Sequence, residues 1–420
     1  MAQRNLNFKN PQLQEIKALF SEVDVVIGNL EAGVHDLDEG TPALFPGGIH
    51  VLTSPYLLKE LIYLGLNMVN IANNHAMDFG EGGLLATIRN LKEQNIPFCG
   101  AGENLAEASQ PCYFEAPNCR IGMLGITSSF HDSYAAGPQS SDMKGRPGVS
   151  PLKHRAVYQL PEEDYKALLR ISQNMGVNSY HDQARKEGFL PDDGFARFGS
   201  FVLERSDAYC CTTSPNEKDL DRTLSNIRQA KNQSDFVIVQ VHGHQFKGSK
   251  SVSPQFIETF ARKCIDEGAS IVAITGPHEV RGVERYKDGI ILYSLGNFIL
   301  QEGQTEHLPE EFYWQYNTSR NDCYGSADVL NIRSQNGTKG LDTMPQVWES
   351  VIVKFEWSEQ TKKVQLIPIK LHNSSNKALK GLPYLTKDTH IIEVIKKLSE
   401  PYNTEITIDS NGHGVIDLSI

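Results

Sequence analysis

No stretch of about 18 consecutive apolar residues occurs in this chain of 420 residues, so the sequence offers no membrane-spanning helix. Cysteine is sparse. The seven thiols are odd in number and no two have CxxC spacing, which reads as reduced, structural cysteines rather than a disulfide framework or a zinc finger. There is no basic excess either: 40 Lys and Arg face 51 Asp and Glu, for a net charge of −11. A general nucleic-acid binder would show the opposite balance. An anionic substrate, small or polymeric, is not excluded, because bound cations can supply positive charge locally. The G-x-S-x-G nucleophile elbow and the GxxxxGK[ST] phosphate loop are both missing. The opening residues, MAQRNLNFKNPQLQEI, are polar and lack the apolar core of a signal peptide, so a cytoplasmic location is expected for the chain as given.

What is present is an alternation of helical and extended patterns. Leu13, Ile16, Leu19 and Phe20 recur at helical spacing. The stretch SPYLLKELIYLG reads as a helix with Ser54 as cap, Pro55 in the first turn and Gly65 as stop. In GLLATIRNLKEQN, Leu84, Ile88 and Leu91 share one face. Between such helices lie short apolar runs, VDVVIGNLE, NMVNIA, FVIVQV, SIVAIT and IILYSL, which imply an α/β fold with a largely parallel or mixed sheet. Residues 128–215 are less regular, and residues 303–347 read as an acidic, aromatic-bearing insertion. SVIVKFEW and KVQLIPIKL resemble a closing hairpin, followed by a helix near 388–399.

The strand ends carry the chemistry. In open α/β sheets, ligands bind where strands deliver their C-terminal ends. Here four of those ends read GNLE, NNHAMD, HGH and TGPH. They offer Asn29 and Glu31, then Asn73, Asn74, His75 and Asp78, then His242 and His244, then His278. Each alone has a bland reading, since a histidine or asparagine at a strand end usually closes a turn or caps a helix. Together, amide, carboxylate and imidazole groups from four separate elements form a donor set suited to Zn²⁺, Mn²⁺ or Fe²⁺. GAGENL could form an anion-accepting turn, and YSLGNF could pack beneath the cleft or line it.

At DVVIGNLE, NIANNHAMDFGEGGLLATIRNL, IPFCGAGENLAEA, GRPGVSPL, FVIVQVHGHQF and GPHEVRGVERYKDGIILYSLGNFIL, the chain resembles the CapA family of poly-γ-glutamate capsule synthesis proteins. That family resembles a branch of the calcineurin-type metallophosphoesterase superfamily. The resemblance implies a four-layer α/β/β/α sandwich around a two-metal site; with the departures named below, one or two divalent ions are expected here. The matching stretches run from about residue 24 to 302, and the chain is expected to form one such domain over residues 1–375, with insertions at about 128–215 and 303–347, and a helical extension over 376–420. The resemblance further implies that Asn74, His242, His244, His278 and Glu31 lie at the metal, that His75 is the general acid, and that Asp78 orients it; Asn29 and Asn73 would line the cleft. Two departures stand out. The family's first strand, with its Gly-Asp motif, has no counterpart, so the first strand is expected to be missing and an exposed sheet edge to result. Thr275 also holds the position of the first histidine of the late Gly-His-Gly-Pro-His motif. The expected function is metal-dependent hydrolysis of phosphoester-like bonds. The alternatives are a non-catalytic polymer-binding or assembly factor for poly-γ-glutamate synthesis, or a truncated inactive homologue.

Overall fold

The protein is described by a computed structural model covering residue 6, residues 8–358 and residues 362–418; residues 1–5 and 7 of the polar opening stretch lie outside these. It is a mixed α/β fold with several sheets. The strand β1 (Ile27–Asn29) pairs in parallel with β2 (Met68–Asn70), which pairs in parallel with β3 (Phe98–Cys99). Among the described residues β1 is an edge of this three-stranded sheet. A six-stranded sheet is built from β4 (Cys112–Glu115), β5 (Arg120–Thr127), β6 (Phe236–His242), β7 (Ile271–Thr275), β8 (Val283–Tyr286) and β9 (Gly289–Leu292), in the order β8-β9-β7-β6-β5-β4. Its centre, β5-β6-β7-β9, is parallel, and the two flanking pairs are antiparallel. The hairpin β10 (Glu349–Trp357) and β11 (Lys362–Leu371) closes as expected.

Side-chain alternation explains why the six-stranded sheet is so apolar. Val237, Val239 and Val241 of β6, with Val272 and Ile274 of β7, bury one face against helices α4 (Glu217–Lys231) and α5 (Gln255–Glu267) through Leu220, Ile227, Phe256 and Phe260. The intervening Ile238, Ile271 and Ala273 bury the other face with Met68, Cys99, Val351 and Val364, from the other strands, and Ile391 and Ile395 of α6 (His390–Ser399). A sheet covered on both faces needs near-continuous apolar strands, which is the pattern read from FVIVQV and SIVAIT. A third cluster joins Val69 and Ile71 to α1 (Pro11–Phe20), α2 (Tyr56–Leu64) and α3 (Gly80–Glu93) through Leu13, Leu57, Leu58, Leu84, Ile88 and Leu91. Gly65 stops α2 in the left-handed conformation at φ 118°.

Several features exceed the sequence reading. Residues 154–215 contain a four-stranded sheet of strands Ala196–Phe198, Phe201–Arg205, His154–Leu160 and Cys210–Pro215, in that order. The C-terminal segment contributes α6 and also the short strands Pro383–Leu385, Thr407–Ile408 and Gly414–Asp417, which extend the hairpin sheet. Phe312, Tyr313 and Val329 of the 303–347 insertion pack on Ile49, Val51 and Ala32, the last of which follows Glu31 in the chain. The GAGENL turn has a structural role: Asn104 accepts from the Glu107 N–H and caps a five-residue helix. No helix among the described residues is long and apolar enough to cross a membrane.

Helix α3 approaches its neighbours closely at Gly83, where a Cβ would lie 2.6 Å from Phe79 Cβ and 2.8 Å from His35 Nε2. Gly→Ala inside a helix ordinarily stabilises by about 0.5–1 kcal/mol. Gly83→Ala is instead expected to destabilise by about 1–3 kcal/mol through overpacking. An unchanged or raised urea midpoint would contradict this packing.

Candidate metal centre

The parallel strands deliver their C-terminal ends to one edge, and the candidate residues meet there. His242 ends β6 with none of its surface exposed, and Thr275 ends β7 directly opposite it in the ladder. Asn74 Oδ1 lies 2.7 Å from His242 Nε2 and 3.4 Å from His244 Nε2. The two imidazole Nε2 atoms are 3.1 Å apart, and Glu31 Oε1 is 3.5 Å from His242 Nε2. His278 completes a group with Glu31 and His244 whose ligand atoms all lie within 4.8 Å of one another.

These loops are held firmly. The His244 N–H donates to Ser129 Oγ at 2.8 Å, and the Gln245 amide bonds both Ser128 Oγ and Ser128 O. The fully buried Arg281 donates to Gln245 O and Lys250 O, tying the loop of His278 to the loop of His244. Gly276, at φ 115°, passes so close to Gly243 that a Cβ would sit 2.9 Å from its carbonyl oxygen. His278 adopts φ 60°, a left-handed conformation uncommon outside glycine and asparagine, and Asn297 Oδ1 holds its Nδ1 at 2.8 Å. The YSLGNF segment therefore lines the site through Asn297.

His75 stands beside this group. Asp78 Oδ2 bonds His75 Nδ1 at 2.7 Å while also accepting from the Val51 N–H, and Asp78 Oδ1 accepts from the Gly47 N–H. Both residues are buried. Asn74 Nδ2 donates to Gly47 O, so the same loop braces the amide that faces His242. Asn73 turns away and stabilises the bend, donating to Leu30 O and accepting from the His75 N–H. Asn29 lies behind His242, its Nδ2 3.4 Å from His242 Nδ1 and its Oδ1 bonded by Asn70.

Electrostatics sort these groups by charge. Burial raises the Glu31 carboxyl, but the fields of His242, His278 and His75 outweigh it and hold it at about 2. Burial pushes His242 down to about 4 despite Glu31, and burial with the neighbouring His242 pushes His244 down to about 3. Burial opposes protonation of His75 as well, yet contact with Asp78 and the field of Glu31 raise it above the ordinary histidine range. Near neutral pH the cleft thus presents one carboxylate and two neutral imidazoles, beside a histidine whose hold on a proton is strengthened.

This donor set fits a divalent cation. Glu31 Oε1 is buried with no hydrogen-bond partner, a costly arrangement for a carboxylate without a counter-charge. Asn74 Oδ1, His244 Nε2 and Glu31 Oε1 lie 2.7–3.5 Å from His242 Nε2. Tetrahedral ligands with bonds of about 2.0–2.1 Å lie about 3.3 Å apart. Sequence reasoning missed the partners behind the candidate ligands: Asn297 beside His278, Ser129 beside His244, and the contact of Thr275, known from the sequence only as a departure from the motif, with His242.

Comparison with known proteins identifies the family. The family model described as bacterial capsule synthesis protein PGA_cap matches residues 1–302. Uncharacterized protein y4sH of Sinorhizobium fredii is 32% identical over 418 residues, 96% of this chain and 88% of its own length. The capsule biosynthesis protein CapA of Bacillus anthracis is 25% identical, covering 89% of this chain and 71% of its own length. The PGA biosynthesis protein CapA of Bacillus subtilis is 26% identical, covering 84% and 74%.

Proposed function

The chain belongs to the bacterial capsule synthesis protein family PGA_cap, and from that membership and the cleft we propose that it is a metal-dependent hydrolase of phosphoester-like bonds linked to poly-γ-glutamate or capsule synthesis. The names of the Bacillus relatives support the process. The observation that carries the chemistry is the convergence of Glu31, Asn74, His242 and His244 around a buried carboxylate oxygen that has no hydrogen-bond partner. The three apolar clusters support the four-layer α/β/β/α sandwich expected of a metallophosphoesterase fold.

In this reading Glu31, Asn74, His242, His244 and His278 would hold a Mn²⁺, Zn²⁺ or Fe²⁺ ion, whose chemistry when bound would be that of a Lewis acid and a source of activated water. His75 carries the proton for the leaving group. Asp78 occupies its Nδ1 and stabilises the imidazolium, so Nε2 is the nitrogen left to face substrate. Asn74 links the two functions, with its oxygen toward the ligand histidines and its nitrogen anchored on Gly47.

The test is turnover of a panel of aryl phosphate mono- and diesters by the Mn²⁺-loaded protein. Hydrolysis that stops on chelation with EDTA and returns with added Mn²⁺ is the expected result. A protein that binds the ion but turns over no ester in the panel would overturn the hydrolase reading and leave a polymer-binding role.

A further inference from the structure

We propose that Thr275 is a positioning residue whose hydroxyl lets His242 carry its proton on Nδ1 and so frees Nε2, the nitrogen that faces the cleft, for a cation; the inference rests on the metal-centre reading above. Thr275 and His242 are directly paired across β6 and β7, which brings Thr275 Oγ1 to 3.1 Å from His242 Nδ1. The opposite side of the ring meets acceptors: Asn74 Oδ1 at 2.7 Å, His244 Nε2 at 3.1 Å and Glu31 Oε1 at 3.5 Å from His242 Nε2.

Without a cation, those acceptors favour a proton on Nε2, donated to Asn74 Oδ1, and Nδ1 then accepts. A cation at the same place requires the Nε2 lone pair, so the neutral ring must carry its proton on Nδ1 instead. That proton needs an acceptor. Asn29 cannot serve: its amide nitrogen is the atom facing Nδ1, and its oxygen is engaged by Asn70 Nδ2 at 3.0 Å. Asn70 is fixed in turn, its own oxygen bonded by the Ala72 N–H at 2.9 Å. A hydroxyl rotates, and can donate to Nδ1 in one state and accept from Nδ1–H in the other. Thr275 is thus the neighbour of Nδ1 that accommodates both tautomers, and it supports ion binding without touching the ion. Partners of this kind, one bond removed from a metal, typically contribute about 10–100-fold in affinity.

Isothermal titration of Mn²⁺ and Zn²⁺ into the ion-free protein tests this, with wild type, Thr275→Val, Thr275→Ser and Thr275→Ala compared. Valine keeps the shape and removes the hydroxyl, whereas serine keeps the hydroxyl. Thr275→Val and Thr275→Ala are expected to weaken binding by about 10–100-fold, Thr275→Ser to bind close to wild type, and all ion-free melting temperatures to stay close to one another. Alanine carries the test if valine prevents folding. Wild-type affinity in both hydroxyl-free variants would overturn the role of Thr275 while leaving the metal centre standing. Serine as weak as valine would assign the effect to shape and overturn it too. Failure of the wild type to bind either ion would overturn the metal-centre reading itself, and this inference with it.

Discussion

Replacing His75 by glutamine is expected to lower ester turnover by about 10²–10⁴-fold, the usual worth of a general acid, while ion affinity stays near wild type. The separation follows from the geometry, since His75 bonds Asp78 and contributes no atom to the converging group of Glu31, Asn74, His242 and His244. Asp78→Ala should cause a similar loss of turnover and a second, structural loss. The Asp78 carboxylate also receives the N–H groups of Gly47 and Val51, and it is buried beside a histidine raised by its presence. Its removal leaves three donors short of a partner, at a cost of about 3–5 kcal/mol for breaking a buried charged pair. Urea unfolding of the two variants separates the effects: Asp78→Ala unfolds at markedly lower denaturant, and His75→Gln does not. Equal turnover in His75→Gln and wild type would remove His75 from the chemistry.

His242→Ala is expected to have the largest effect on ion binding. His242 is the hub of the site, within 3.5 Å of Asn74, His244 and Glu31 on one side and of Thr275 and Asn29 on the other. Its loss should weaken Mn²⁺ and Zn²⁺ binding beyond the roughly 10–100-fold attached to outer partners, so that no binding is detected at micromolar protein. Titration of ion into the folded variant checks this, with circular dichroism confirming the fold. Retention of wild-type affinity would place the ion elsewhere.

Much of this site was legible because strand ends are legible. FVIVQV and SIVAIT are apolar at nearly every buried position, Gln240 being the exception, so their ends, and the polar residues that follow, can be placed from sequence. The gathering of Glu31, Asn74, His242, His244 and His278 followed from parallel strands ending on one edge. The partners behind them were not legible. Thr275 matters through the residue opposite it in the ladder, and Asn297 through a loop that meets His278, and neither relation leaves a periodic trace in the chain. The sheet of residues 154–215 was hidden for a different reason. Its strands bury few side chains, such as Val202 and Leu203, and alternate irregularly between partly buried and exposed positions. Strands as short as Thr407–Ile408 fall below the length at which alternation can be read.

The most direct measurement is the transition-metal content of the purified protein by elemental analysis, after incubation with Mn²⁺ or Zn²⁺ and removal of free ion. Retention of at least about one equivalent per chain is predicted, because the buried, unpartnered Glu31 oxygen and the converging imidazoles favour a bound cation. A protein that keeps no metal under these conditions would contradict the account at its centre.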